Sequence, residues 1–133
     1  MLTKYVIGGS AALILAATAL WAADVDVSKI PPASTKTGLT YEKDIKPIFE
    51  KSCFKCHGTE KQKGKLRVDT LAGVLKGSEN GKVVDPGNGT KSVLVQNVAR
   101  LVADDAMPPE GKGDPLTKEQ IGLIRAWVDQ GAK

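Results

Sequence analysis

Apolar residues recur with helical spacing in the part of the chain that follows residue 40. The first set lies at positions i, i+4, i+7 and i+8 and comprises Tyr41, Ile45, Ile48 and Phe49. Residues at this spacing share one face of a helix, and Thr40 fits the N-cap. Pro47 has no amide hydrogen to donate, so we expect a kink or a delayed regular start near it.

Two short helices and one longer helix are predicted further along. Asp69 fits the N-cap of a helix through Leu75 that Gly77 stops. A second helix is expected from about residue 90 or 92 to Ala99. Its inward-facing residues are expected to be Val93, Leu94, Val98 and Leu101. The third helix begins with a capping box at residues 117–120.

The fold class follows from these helices and from the segments between them. Glycine, proline and asparagine mark long turns between the helices. We therefore predict a mainly α fold, in which several helices are joined by long loops. These loops are long enough to include a short β-hairpin.

The first 22 residues have the pattern of a secretory signal peptide. Lys4 supplies a positive charge, Val6 to Leu20 is almost wholly apolar, and Ala22 and Ala23 are small enough for cleavage. The mature protein is then expected in the periplasm, without a stable membrane span. A retained anchor is the alternative, because the apolar run approaches the roughly 20 residues that span a bilayer.

The rest of the chain is expected to form one domain with a short extension. Residues 23–39 contain Pro31 and Pro32 and lack helical periodicity, so we predict a flexible N-terminal arm. Residues 40–133 are predicted to form the domain itself, because a chain of this size suits one compact unit.

The run Cys53-Phe54-Lys55-Cys56-His57 carries the most specific chemistry. A Cys-x-x-Cys-His sequence on an exported chain is the attachment pattern of c-type haem. Cys53 and Cys56 would each form a thioether bond to the porphyrin, and His57 would bind the iron. The cofactor predicted is one covalently attached haem c.

Other uses of the two cysteines fit the sequence less well. A thioredoxin-like dithiol belongs in a strand-helix-strand setting that the sequence does not show. A zinc site needs three or four protein ligands, whereas the sequence holds two cysteines and a single histidine. A disulfide and a chance match remain the alternatives.

Met107 is the candidate for the second axial position of the iron. Pro108 and Pro109 follow it and force the preceding backbone into an extended form. Methionine is a known haem ligand that raises the reduction potential and favours electron transfer. The alternative is that Met107 only fills a gap in the core.

The order of short motifs resembles that of the planctomycete-type cytochrome c domain over most of the chain after Tyr41. The matching stretches are Asp44 to Phe49, Cys53 to Gly58, Gly64 to Asp69, Pro86-Gly87, Ser92 to Leu94, Met107 to Pro109, Leu116-Thr117 and Trp127 to Ala132. The resemblance implies a small class I cytochrome c fold. It also implies thioether links at Cys53 and Cys56, with His57 as proximal and Met107 as distal ligand.

Basic residues surround the cysteine motif, and the formal net charge of the chain is +4 at pH 7. The cluster comprises Lys51, Lys55, Lys61, Lys63, Lys65 and Arg67, against the single acidic residue Glu60. Such a surface would steer periplasmic redox proteins that have an acidic docking surface. An ordinary solvated face is the alternative, and no nucleic acid partner is expected because no aromatic residues interleave.

The function predicted from these features is one-electron transfer by a periplasmic mono-haem protein, which is not an enzyme. A haem enzyme or gas sensor with a labile distal ligand is one alternative. A haem accessory domain that docks on a larger periplasmic enzyme is another, and the N-terminal arm favours it.

Overall fold

The computed structural model describes residues 24–133, so the predicted signal peptide at residues 1–22 lies outside the described residues. The described part contains the α-helices α1 (Lys46–Ser52), α2 (Leu71–Lys76), α3 (Val93–Val98) and α4 (Lys118–Asp129). Short 3-10 turns and long loops join them, which confirms the prediction of a small, mainly α fold. Within residues 24–133, each helix is too short or too polar to cross a bilayer.

Helix α1 begins late, as predicted from Pro47. The chain first forms a π-helical turn at Tyr41–Ile45 and becomes regular only at Lys46. Thr40 is the N-cap, because its hydroxyl accepts a hydrogen bond from the Lys43 amide. Pro47 lies in the first turn of α1, where its missing amide hydrogen leaves no broken bond.

Helix α2 begins one residue later than predicted. Its N-cap is Thr70, whose hydroxyl accepts a hydrogen bond of 3.0 Å from the Gly73 amide. The prediction of Asp69 was wrong because the Asp69 carboxylate instead pairs with the Arg67 guanidinium at 2.6 and 2.9 Å. Gly77 ends the helix with a φ of +87°, a conformation that glycine adopts with little strain.

Helix α3 corrects one predicted core position. Leu94, Val95 and Val98 are buried, whereas Val93, expected to face inward, is 44% exposed. Val93 is the first residue of the helix and lies on the wall of a cavity, so its side chain faces open space rather than the core.

Three aromatic side chains form the centre of the core between α1 and α4. The Tyr41 ring lies 6.2 Å from both the Phe49 ring and the Trp127 ring, measured between centroids. Trp127 is fully buried, and its indole nitrogen donates to the carbonyl of Lys133 at 2.9 Å. These contacts place Phe49 and Trp127 in the core.

The loops of the described residues contain two isolated β-bridges. No β-strand longer than a single bridge forms in them. One bridge pairs His57 with Gln62, and the other pairs Ser78 with Gly81. The amide of Glu79 donates to the carbonyl of Gly64 at 2.8 Å. The two loops are therefore joined.

The arm that precedes residue 40 lies against helix α4, in contrast to the flexible arm that its composition predicts. The Ser34 amide donates to the Gly122 carbonyl at 2.9 Å, and the Arg125 guanidinium donates to the Pro31 carbonyl at 2.9 Å. Ile30 and Leu39 are buried in the core. Apolar burial and hydrogen bonds to α4 offset the entropy lost by ordering this segment.

Replacing Gly122 with alanine tests whether the arm is held in place. The added Cβ would lie 2.5 Å from the Pro32 carbonyl oxygen. Because overpacking costs about 1–3 kcal/mol, the melting temperature should fall by roughly 4–15 °C. On a free helix surface the same change would stabilise by about 1 kcal/mol, because alanine has the higher helix propensity. The sign of the change in melting temperature, measured by circular dichroism during thermal unfolding, distinguishes a packed arm from a free helix surface.

Deletion of residues 24–39 provides the control, because it removes the carbonyl that the new methyl group would meet. In the shortened chain, Gly122→Ala is expected to raise the melting temperature. A higher melting temperature for Gly122→Ala in the complete chain would contradict a packed arm.

Candidate functional site

A cavity of about 340 Å³ lies between the end of α1, helix α3 and the loops that join them. Its walls include Cys53, His57 and Met107, three of the four residues predicted to hold a cofactor. Its apolar wall residues are Leu66, Val68, Val83, Val93, Leu94 and Val98. The structure therefore brings together residues that lie about fifty positions apart in the sequence, within an apolar enclosure.

The cysteine motif forms a turn directly after α1. The amides of Cys53 and Phe54 both donate to the Phe49 carbonyl, at 2.7 and 3.0 Å, and the His57 amide donates to the Cys53 carbonyl at 2.9 Å. Ser52 ends the regular helix, so the two cysteines lie in this turn and not on a helical face. Cys53 lines the cavity, whereas the half-buried Cys56 lies outside its lining.

The residue after the motif must be small. A Cβ at Gly58 would overlap the carbonyl oxygen of Phe54, so a larger side chain would push the turn open. The Gly58 amide donates to the Lys61 carbonyl, and the Lys63 amide donates to the Cys56 carbonyl, at 2.8 and 2.9 Å. These bonds fold the following loop back onto the motif.

The backbone of His57 is fixed from the core side. Its carbonyl accepts a hydrogen bond of 2.8 Å from the Val68 amide, and the Val68 carbonyl accepts one of 2.5 Å from the Tyr41 hydroxyl. Burial raises the pKa of Tyr41 to about 12, so its hydroxyl stays protonated and able to donate. The sequence predicts Tyr41 only as an apolar core residue.

The His57 ring has a nitrogen without a protein partner. Nδ1 is buried and makes no hydrogen bond to any of the described residues, although the ring itself is only half-buried. A buried polar atom without a partner is unfavourable by about 1–3 kcal/mol. Nδ1 of His57 is therefore not committed to another described side chain or backbone group.

The two cysteines are free thiols in the structure. The pKa of the Cys53 thiol is raised to about 12, mainly by burial and to a smaller extent by the nearby Cys56. Cys53 is therefore a neutral thiol at neutral pH. Its side chain packs against the apolar core, which fits a sulfur atom held beside an apolar group.

Met107 approaches the cavity from the chain that follows α3. Its amide donates to the Asn97 carbonyl at 3.0 Å. The Arg100 guanidinium donates to the carbonyl of Pro108 at 2.7 Å. The thioether side chain is half-buried, touches the core and lines the cavity. Met107 thus belongs both to the edge of the core and to the wall of the site.

Polar residues that sequence reasoning missed also lie at the cavity. They are Ser78, Asn80 and Asn97. Asp105 and Lys63 of the basic cluster also line the cavity. Ser78 and Asn80 come from a loop that the sequence shows only as turn-rich. Their approach to the motif depends on the contact between the Glu79 amide and the Gly64 carbonyl, which no local pattern indicates.

The basic cluster around the motif contains five exposed lysines and one arginine whose charge is offset by an ion pair. The exposed side chains are Lys51, Lys55, Lys61, Lys63 and Lys65. The Arg67 guanidinium is paired with Asp69, and its hydrogen bond lowers the pKa of that carboxyl. Arg67 therefore adds little to the positive surface.

Within residues 24–133, no group of three or more histidine, cysteine, aspartate or glutamate side chains is arranged to hold a metal ion. The cavity with Cys53, His57 and Met107 is therefore the candidate site that the described residues present for a cofactor.

Comparison with known proteins identifies the segment that contains this site. The chain has no significant match among curated proteins or among solved structures. Residues 53–111 match the family model described as Planctomycete cytochrome C. The matched segment begins at Cys53 and includes His57 and Met107, which confirms the resemblance indicated by the motifs. Residues 53–111 of this chain are therefore similar to the planctomycete cytochrome c domain.

Proposed function

We propose that this protein is a mono-haem c-type cytochrome that carries single electrons in the periplasm. The observation that carries the proposal is the cavity that unites Cys53, His57 and Met107. The similarity of residues 53–111 to a cytochrome c domain supports a haem-binding, electron-transfer role. The pattern of the first 22 residues supports export.

The side chains at the cavity fit a covalently held haem. Cys53 and Cys56 would supply the two thioether sulfurs, and His57 would bind the iron from the side of the motif. The apolar walls suit the faces of a porphyrin, and the imidazole Nδ1 is not committed to another described protein group. When bound, haem would supply the reversible one-electron chemistry of its iron.

Met107 is the proposed second axial ligand. Its thioether lies at the same cavity as the His57 ring, and its backbone is held by the Asn97 carbonyl. His57 is the only histidine in the sequence, so a second imidazole of this chain could not take the position. A methionine ligand raises the reduction potential and favours electron transfer over the binding of small molecules.

The proposed partners are periplasmic redox proteins with an acidic docking surface. Of the five exposed lysines, Lys51 lies at the end of α1 and the others lie in the motif and in the loop that follows it. Lys63 also lines the cavity. Positive charge beside the site would attract an acidic surface and orient it toward the cofactor.

The first test concerns attachment of haem. Protein matured in a periplasm that attaches c-type haem should have the mass of the polypeptide plus one haem, with a chain that begins near Ala23. The variant with Cys53→Ser and Cys56→Ser together should lose haem that survives denaturation, as detected by haem staining of a denaturing gel. Met107→Ala is the control and should keep the covalent haem. A wild-type product with the mass of the polypeptide alone would refute the proposal.

The second test concerns the distal ligand. Met107→Ala should abolish the weak long-wavelength absorption band that arises from a thioether bound to ferric iron, and it should lower the reduction potential. Met107→His offers a different ligand and should restore a six-coordinate, low-spin spectrum without that band. Absorption spectra and potentiometric titration measure both effects. An unchanged band in Met107→Ala would show that another group binds the iron.

The third test concerns the charge of the docking surface. Lys55→Glu should slow electron transfer from a small acidic flavoprotein at about 0.01 M ionic strength, where charges act over about 30 Å. The difference should vanish at high salt. Lys118→Glu is the matched control, because Lys118 is exposed and lies beside the N-terminal arm rather than the cavity. Stopped-flow rates that are equal for both variants at low salt would exclude steering by this surface.

A further inference from the structure

Arg100 occupies an unusual backbone position immediately after helix α3. Its φ is +59°, in the left-handed region where a residue with a side chain is less favourable than glycine. The Arg100 amide donates to the Asn97 carbonyl at 3.0 Å, which closes the last turn of the helix. A glycine would form this turn with less strain, so the backbone alone does not favour arginine here. What arginine adds is its side chain.

The Arg100 side chain reaches the residue that follows Met107. Its Nη1 donates to the Pro108 carbonyl at 2.7 Å, in a partly buried setting. The Met107 amide donates to the Asn97 carbonyl at 3.0 Å. The same helix end therefore holds the backbone on both sides of the Met107 side chain.

No neighbouring residue of the loop can replace the two hydrogen bonds that Arg100 and Asn97 make with this segment. Pro108 and Pro109 have no amide hydrogens, so this part of the loop cannot donate backbone hydrogen bonds of its own. The Pro108 carbonyl accepts from a charged group, and such bonds are stronger than those between neutral groups. Arg100 is thus a charged donor that restrains the residue directly after Met107, while the Pro109 carbonyl accepts from the Lys112 amide at 3.0 Å.

We propose that Arg100 is a positioning residue that holds the Met107 thioether over the iron. This inference rests on the proposed role of Met107 as the distal ligand. Arg100 acts through the Pro108 carbonyl and does not itself touch the cofactor. Its loss should leave haem attached while weakening the bond between Met107 and iron, so that an external ligand displaces the thioether more readily.

The test uses ferric, haem-loaded protein and imidazole as the competing ligand. Arg100→Met keeps a long side chain without a donor, and its affinity for imidazole should rise about tenfold, the factor that the loss of a charged hydrogen bond supports. Arg100→Lys keeps a cationic donor and should stay close to wild type. Arg100→Gly relieves the left-handed backbone but removes the donor, so it should bind imidazole as tightly as Arg100→Met.

Arg125→Met is the matched control. The Arg125 guanidinium also donates to a proline carbonyl, that of Pro31, at 2.9 Å, but this bond ties the N-terminal arm to α4. Its loss should lower the melting temperature and leave the affinity for imidazole unchanged. A general loss of stability would therefore not reproduce the effect expected of Arg100→Met.

The outcomes separate this inference from the proposed function. If wild type shows the thioether band and Arg100→Met and Arg100→Gly both bind imidazole with wild-type affinity, the role of Arg100 is refuted while Met107 ligation stands. Equal gains in affinity for Arg100→Met and Arg125→Met would also refute it. If wild type lacks the band, the assignment of Met107 fails first. Should Arg100→Met fail to fold, Arg100→Gly and Arg100→Lys provide the same comparison.

Discussion

The site depends on how the turn at Cys53–His57 is fastened to the core. The Phe49 carbonyl accepts two amides at the start of the turn, and the His57 carbonyl accepts the Val68 amide at its end. The Tyr41 hydroxyl holds Val68 in place through the carbonyl of that residue. Because these bonds begin in the packed aromatic core, the position of the imidazole is set by the most buried part of the molecule.

The opposite wall of the cavity is fastened differently. Met107 belongs to a proline-containing loop whose backbone is held from the end of α3, through the Asn97 carbonyl and the Arg100 side chain. One wall is therefore part of the core, and the other is attached to it by a few polar bonds. This asymmetry suits a site in which the core fixes the position of the histidine, whereas the position of the methionine depends on a few polar bonds.

Much of this arrangement could be predicted from local sequence, and the rest depends on distant contacts. The Cys53 motif, the Thr40 cap and the capping box at Thr117 are set by residues within one turn, so their pattern indicated them directly. The Thr70 cap was missed because Asp69 pairs with Arg67 instead. The packed arm and the Tyr41 hydrogen bond were missed because their partners lie 27 to 94 positions away in the sequence. Local composition does not specify such pairs.

If His57 and Met107 hold the haem as proposed, both side chains would bind its iron. X-ray absorption spectroscopy at the iron edge of the reduced, haem-loaded protein measures the atoms bound to the metal most directly. We expect a six-coordinate iron with one sulfur ligand, and the loss of that sulfur in Met107→Ala. An iron shell without sulfur in the wild-type protein, or a sulfur signal that persists in Met107→Ala, would contradict it.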